Sequence, residues 1–132
     1  MLQKQFFAIY RKKKSEEIMI KMYGISTCTT VGKAQKWLKE NGVEFEFYNY
    51  KEKKPDPKKI DEWFAKFGWE KMLKKNGTTW RELDPKLKAD MNEVKARKLM
   101  LEHHNLIQRP ITETGKETLF RFDEDEFRKA LS

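Results

Sequence analysis

At 132 residues the chain has room for one hydrophobic core, and nine Phe, four Trp and four Tyr give that core enough bulk to exclude disorder of the whole chain. Charged residues make up 38% of it, with 29 Lys and Arg against 21 Asp and Glu for a formal charge of +8. Apart from the Arg11-Lys-Lys-Lys14 run the basic excess is spread along helical faces, which argues against a nucleic-acid surface, and no apolar stretch approaches the roughly 18 residues that cross a bilayer.

The one cysteine excludes an internal disulfide framework and a multi-cysteine metal site, and it points to a reducing compartment. Residues 1–17 differ in composition from the rest of the chain and read as an appendage: a tail, a short helix carrying Phe6, Phe7, Ile9 and Tyr10, or residues upstream of a start at Met19. Their short apolar patch precedes the basic run, the reverse of a signal peptide, so a cytoplasmic location is expected.

From Ile18 the pattern is regular. Ile18, Ile20 and Met22 alternate with Met19, Lys21 and Tyr23, the period of a strand that Gly24 ends. The polar loop Ser26-Thr-Cys28-Thr-Thr30 leads into Val31, Ala34 and Leu38, one face of a helix that stops at Asn41-Gly42. Val43, Phe45 and Phe47 alternate again, which completes a right-handed β-α-β unit with parallel strands. A helical insertion comes next, at about 55–104. Asp56-Pro57 opens a helix with Ile60, Trp63, Phe64 and Phe67 on one face, and Gly68 breaks it. Trp69, Met72 and Leu73 begin a short helix, Asn76-Gly77 turns, Asp84-Pro85 opens another start, and Ala96, Leu99, Met100 and His103 repeat a helical face. Adjacent His103 and His104 diverge by about 100° on a helix and make a poor metal pair, so no metal is expected. Ile107 to Ile111 is extended around Pro110, Thr114-Gly-Lys116 turns a hairpin in which Thr118, Phe120 and Phe122 alternate with Leu119 and Arg121, and Asp123 caps a last helix with Phe127, Ala130 and Leu131 inward. The order β-α-β, insertion, β-β-α is the thioredoxin/glutaredoxin arrangement, an α/β fold with a four-stranded mixed sheet over residues 18–132.

Cys28 stands out chemically. Its neighbours are hydroxyl residues, including Thr29 and Thr30, and it lies between a strand end and the first turn of a helix. Unpaired N–H groups and the helix dipole favour an anion there, which lowers a thiol's pKa and lets the same turn bind an oxyanion. Arg109 precedes Pro110 at the start of the third strand, where a thioredoxin fold faces its thiol, and a cis bond is expected at Pro110.

Tyr23-Gly-Ile-Ser-Thr-Cys28-Thr-Thr-Val31, Lys33-Ala-Gln-Lys-Trp-Leu38, Tyr50-Lys, Gly77-Thr-Thr-Trp-Arg81 and Leu106-Ile-Gln-Arg-Pro-Ile111 together resemble the arsenate reductase/Spx family, most of all its small YffB-type branch of glutathione-dependent thiol reductases. The resemblance runs from about Met19 to the C-terminus. It implies a cytoplasmic oxidoreductase with Cys28 as nucleophile, acting on a small oxyanion or disulfide. Glutathione or a glutaredoxin-like thiol donor would be co-substrate, with no bound cofactor, membrane or nucleic-acid partner. It also implies oxyanion contacts from Arg109, Arg121 and Lys74, the last standing where the family's arsenate reductases carry arginine. The family's histidine four residues before the cysteine is Gly24 here, and its Ser-Arg pair is Val31-Gly32. An arsenate reductase proper and an Spx-like transcription-regulatory module stay open as alternatives, although the Cys-x-x-Cys switch of Spx cannot form with Val31 at its second position.

Overall fold

The computed structural model describes residues 19–131; the expected appendage at 1–17, Ile18 and Ser132 lie outside the described residues. The chain divides into two compact units, the first holding the described residues up to Lys51 together with those from Arg109, the second spanning Glu52–Gln108. The second unit is a few residues wider at each end than the insertion at about 55–104.

In the first unit β1 (Lys21–Gly24), α1 (Thr29–Glu40), β2 (Glu46–Asn49), β3 (Ile111–Glu113), β4 (Thr118–Phe120) and α7 (Glu124–Leu131) build a sheet of order β2-β1-β3-β4. β1 and β2 are parallel and the other two pairings antiparallel. The register Met22–Phe47, Met22–Thr112 and Thr112–Leu119 puts these residues on one face of the sheet, where α1 and α7 supply Val31, Ala34, Trp37, Leu38, Phe127 and Leu131. The Trp37 and Phe127 rings meet edge to face at 5.8 Å. Val43 belongs to this core but precedes β2, because its N–H is used on the Leu38 carbonyl (2.9 Å) to close α1 beyond Gly42, at φ 70°. The opposite face carries Tyr23, Tyr48, Ile111, Glu113 and Phe120, with the Tyr23 and Tyr48 rings stacked at 4.9 Å.

The hairpin departs from the expected alternation. Leu119 is the buried residue of β4, while Thr118 and Phe120 are half-buried. Arg121 then adopts φ 55°, which shifts the phase, so that Phe122 also packs on the core and meets Phe127 edge to face at 4.9 Å.

The second unit holds α2 (Pro57–Phe67), α3 (Trp69–Met72), α4 (Thr78–Glu82), α5 (Pro85–Lys88), α6 (Glu93–Glu102) and a 3₁₀ turn (His104–Leu106). Ile60, Trp63, Met72, Ala96, Met100, Leu106 and Ile107 are its fully buried side chains. Asp56 caps α2 by accepting from the Lys58 N–H (2.9 Å), and Gly68 ends it at φ 86°, a conformation that favours glycine. Two features lie beyond the sequence pattern. Gly77 starts a one-turn helix rather than only a turn, and the Asp84-Pro85 start yields only α5, ended before Asp90 at φ 51°. A separate cap, Asn92 accepting from Lys95 N–H (2.9 Å), opens α6, and His103 falls just past its end. Among the described residues no helix is long and apolar enough to cross a membrane.

Thr112 is fully buried among apolar residues, and its hydroxyl makes no hydrogen bond. An unsatisfied buried hydroxyl costs about 1–3 kcal/mol, whereas Val keeps the shape without the polar atom. Thr112→Val is therefore expected to raise the urea midpoint at unchanged slope, a gain of about 1 kcal/mol; a lower midpoint would show the hydroxyl to be satisfied.

Candidate functional site

The site is built where β1 runs into α1. Gly24 ends the strand on the face that α1 covers, and a Cβ at Gly24 would lie 2.8 Å from Val31 Cγ2, 3.6 Å from Arg109 Cβ and 3.8 Å from the Phe47 ring. Only a residue without a side chain lets Val31 of α1 approach this closely, whereas the distances to Arg109 and Phe47 are ordinary contacts. Ile25 then turns inward, and the Cys28 N–H reaches back to the Ile25 carbonyl (3.3 Å). The turn delivers Cys28 as N-cap of α1, in extended conformation, where Ser, Thr, Asp or Asn would ordinarily sit.

No side-chain oxygen caps this helix. The half-buried Cys28 thiol lies at that N-terminus without a cap hydrogen bond of its own, and the N–H groups of Val31 and Thr30 favour its thiolate. Burial is the largest single influence on its pKa and pushes it up. The N–H groups of Val31 and Thr30, then the charge and hydrogen bond of Arg109, outweigh that burial and hold the thiol below its ordinary value.

Arg109 and Pro110 are joined by a cis peptide bond. From there the Pro110 carbonyl accepts the Arg121 N–H (2.8 Å), tying the end of β4 to the start of β3. The Arg121 guanidinium returns to the first turn of α1, where Nη2 donates to Thr30 Oγ1 (3.2 Å), and its Nε is buried with no hydrogen bond. Cys28, Thr30, Arg109 and Arg121 thus share one site within the first unit, with Thr29 exposed at its edge. Lys74 belongs to the second unit, where Nζ donates to Asn76 Oδ1 (2.8 Å) and Gly77 leaves room for its stem.

Two participants carry no chemical signal of their own in the sequence. Val31 has the spacing of a core residue, yet its methyl locks against Gly24 and its N–H faces the thiol. Tyr50 is legible only as part of a motif. It is buried, with its N–H on the Gly24 carbonyl (2.9 Å), and burial, then Tyr23 and Glu113, push its phenol well above the usual range while Arg109 opposes them. The Tyr-Gly and Tyr-Lys pairs at the two strand ends are the signal that could have found it.

The β-α-β and β-β-α sheet is a thioredoxin-like fold, and its N-cap cysteine lies beside an arginine that precedes a cis-proline. The chain belongs to the ArsC family, whose model matches residues 23–130. It is 34% identical over 114 residues to an uncharacterized protein of Haemophilus influenzae, covering 86% of this chain and 100% of that one. Among solved structures it is similar to a YffB protein, with a TM-score of 0.83, 40% identity, and coverage of 86% of this chain and 100% of the other. It is also similar to an arsenate reductase (ArsC) related protein from Brucella melitensis, with a TM-score of 0.67, 28% identity, and coverage of 86% and 94%.

The alkylation rate of Cys28 with iodoacetamide should rise with pH through a midpoint below that of a free thiol, because only the thiolate reacts. Arg109→Gln should move that midpoint up by removing a charge and a hydrogen bond that favour the thiolate; an unmoved midpoint would leave the helix N–H groups as the whole cause. Gly24→Ala should destabilise the fold by about 1–3 kcal/mol through overpacking on Val31. Combined with Val31→Ala it should cost less than the sum of the two single changes in denaturant unfolding, and strict additivity would refute the interlock.

Proposed function

We propose that the chain is a monothiol reductase of the cytoplasm, in which Cys28 is the nucleophile and glutathione the electron donor. The observation that carries this reading is the place of Cys28 at a helix N-terminus beside Arg109, where N–H groups and the guanidinium favour the thiolate. The Cys28 thiolate attacks the sulfur of a disulfide, forms a mixed disulfide with the glutathionyl group and releases the other half as a thiolate. A glutathione thiolate then attacks that mixed disulfide, restoring Cys28 and leaving as glutathione disulfide. One cysteine suffices, which suits a chain that has only one. Arg109, Arg121 and the α1 N-terminus hold the anionic groups of the substrate. A glutaredoxin-like protein can replace glutathione in the second step.

Reduction of arsenate is a second reading, favoured by the ArsC family and by the Brucella relative's description as arsenate reductase related. The Gly24–Val31 interlock argues against it as the main activity, since position 24 has no room for a donor side chain beside Val31, and Gly32 supplies none. Each charge-assisted hydrogen bond not made is worth about 1.5–3 kcal/mol, so two of them reduce turnover by about a hundredfold or more.

Incubation with glutathione disulfide should add one glutathionyl group to Cys28 by mass spectrometry, and added glutathione should remove it. Cys28→Ser should abolish the adduct, while arsenate turnover with glutathione stays weak. Vigorous arsenate turnover lost in Cys28→Ser would reverse the preference between the two readings.

A further inference from the structure

We propose that Gly32 is a specificity-determining position, left without a side chain so that a peptide disulfide can reach Cys28; this rests on the thiol-reductase reading above. Gly32 is the fourth residue of α1 and is exposed. A glycine inside a helix destabilises it relative to alanine, through backbone entropy. Four of the other five glycines have a reason in the fold: Gly24 has no room for a Cβ, and Gly42, Gly68 and Gly115 have positive φ, while a Cβ at Gly77 would meet only the Lys74 Cε, at 3.3 Å. Gly32 has neither reason. Its φ lies outside the left-handed region, and a Cβ added there would meet nothing within 4 Å. Neither backbone nor packing asks for glycine, so the helix carries a weakening residue with no return inside the chain.

Its position supplies the return. The Gly32 N–H donates to the Cys28 carbonyl (3.0 Å), which fixes the two residues one turn apart. Side chains three and four residues apart are neighbours on a helix surface, and each Cβ tilts toward the N-terminus. A Cβ at 32 meets nothing within 4 Å, so it is a longer side chain there that would extend back toward Cys28 on its solvent side, while the core cluster that includes Val31 packs on the buried side. Disulfide exchange makes a large demand on that space. The entering, central and departing sulfurs lie nearly in line, so peptide must pass on either side of the thiolate. The Cys28–glutathionyl S–S bond forms as the S–S bond of glutathione disulfide breaks, and the departing sulfur takes the electron pair as a thiolate. A compact oxyanion or small alkylating agent does not need the clearance.

The test compares the full chain with Gly32→Ala and Gly32→Leu against two reagents, glutathione disulfide and iodoacetamide. Both substitutions are better helix formers, so both variants should unfold at higher urea than the parent, which separates any loss of rate from loss of fold. Gly32→Leu should slow exchange with glutathione disulfide by roughly tenfold or more while alkylation changes by less than about threefold, with Gly32→Ala between. The pH profile of alkylation should not move. Equal rates of exchange in all three proteins, or an equal slowing of both reagents in Gly32→Leu, would overturn the role of Gly32. A parent protein that is alkylated but inert to glutathione disulfide would instead overturn the thiol-reductase reading itself, before any variant is made.

Discussion

A close approach in the first unit, between the end of β1 and the first turn of α1, sets the position of the chemical groups around Cys28. With Gly24 lacking a side chain, Val31 can sit where a Cβ would be only 2.8 Å from its methyl, and Arg109 closes the third side. This contact determines how far the N-terminus of α1 reaches over the sheet, and hence where the N-cap residue falls. Sheet pairing supports it from below. Tyr23, at the register position before Gly24, pairs with Tyr48 on one side and with Ile111 on the other, just after Pro110. The three segments of the site are thereby held by the pairings of β3 with β1 and β4, by the hydrogen bonds of Arg121 to Pro110 and Thr30, and by one van der Waals contact.

The electrostatics depend on the same geometry. A thiol at an N-cap lies against N–H groups that the helix cannot satisfy for itself, and a cap without oxygen leaves them to the sulfur. Burial works against ionisation, so the result depends on adding fixed donors at short range, and Thr30, Val31 and Arg109 supply them. Arg109 influences two acidic groups at once. It lowers Cys28, and it also opposes the burial that keeps Tyr50 protonated, where the neighbouring Glu113 acts in the other direction. The phenol stays neutral because it is more deeply buried than the sulfur and because Tyr23 and Glu113 add to the effect of that burial.

How much of this is legible in the sequence depends on how local each cause is. The alternation of Ile20 and Met22, the α1 face of Val31, Ala34 and Leu38, and the Asp56 and Asp123 caps are short-range patterns, and the elements stand where those patterns put them. Cys28 at a helix start and the cis bond before Pro110 are likewise set by a few neighbouring residues in a known arrangement. The features that escape the pattern depend on conformation or on distant contacts. The left-handed backbone of Arg121 and Asp90 carries no glycine to announce it, so the phase shift into Phe122 and the end of α5 are invisible in the sequence. The Gly24–Val31 interlock joins a strand end to a helix, and no periodicity reports a clash that is avoided by the absence of a side chain.

Positions 32 and 121 invert the usual relation between backbone and side chain, and both border Cys28's turn of α1. At 121 the φ of 55° would suit glycine, and an arginine there bears strain of order 1 kcal/mol. The structure holds it nonetheless: its N–H is fixed on the Pro110 carbonyl, its guanidinium on Thr30, and the next residue, Phe122, on Phe127. At 32 the backbone is compatible with any good helix former, and the chain has glycine. Stability alone would favour the opposite choice at each position. The proposed thiol-reductase reading would give both choices a common explanation, with a guanidinium at one side of the first turn and open space at the other.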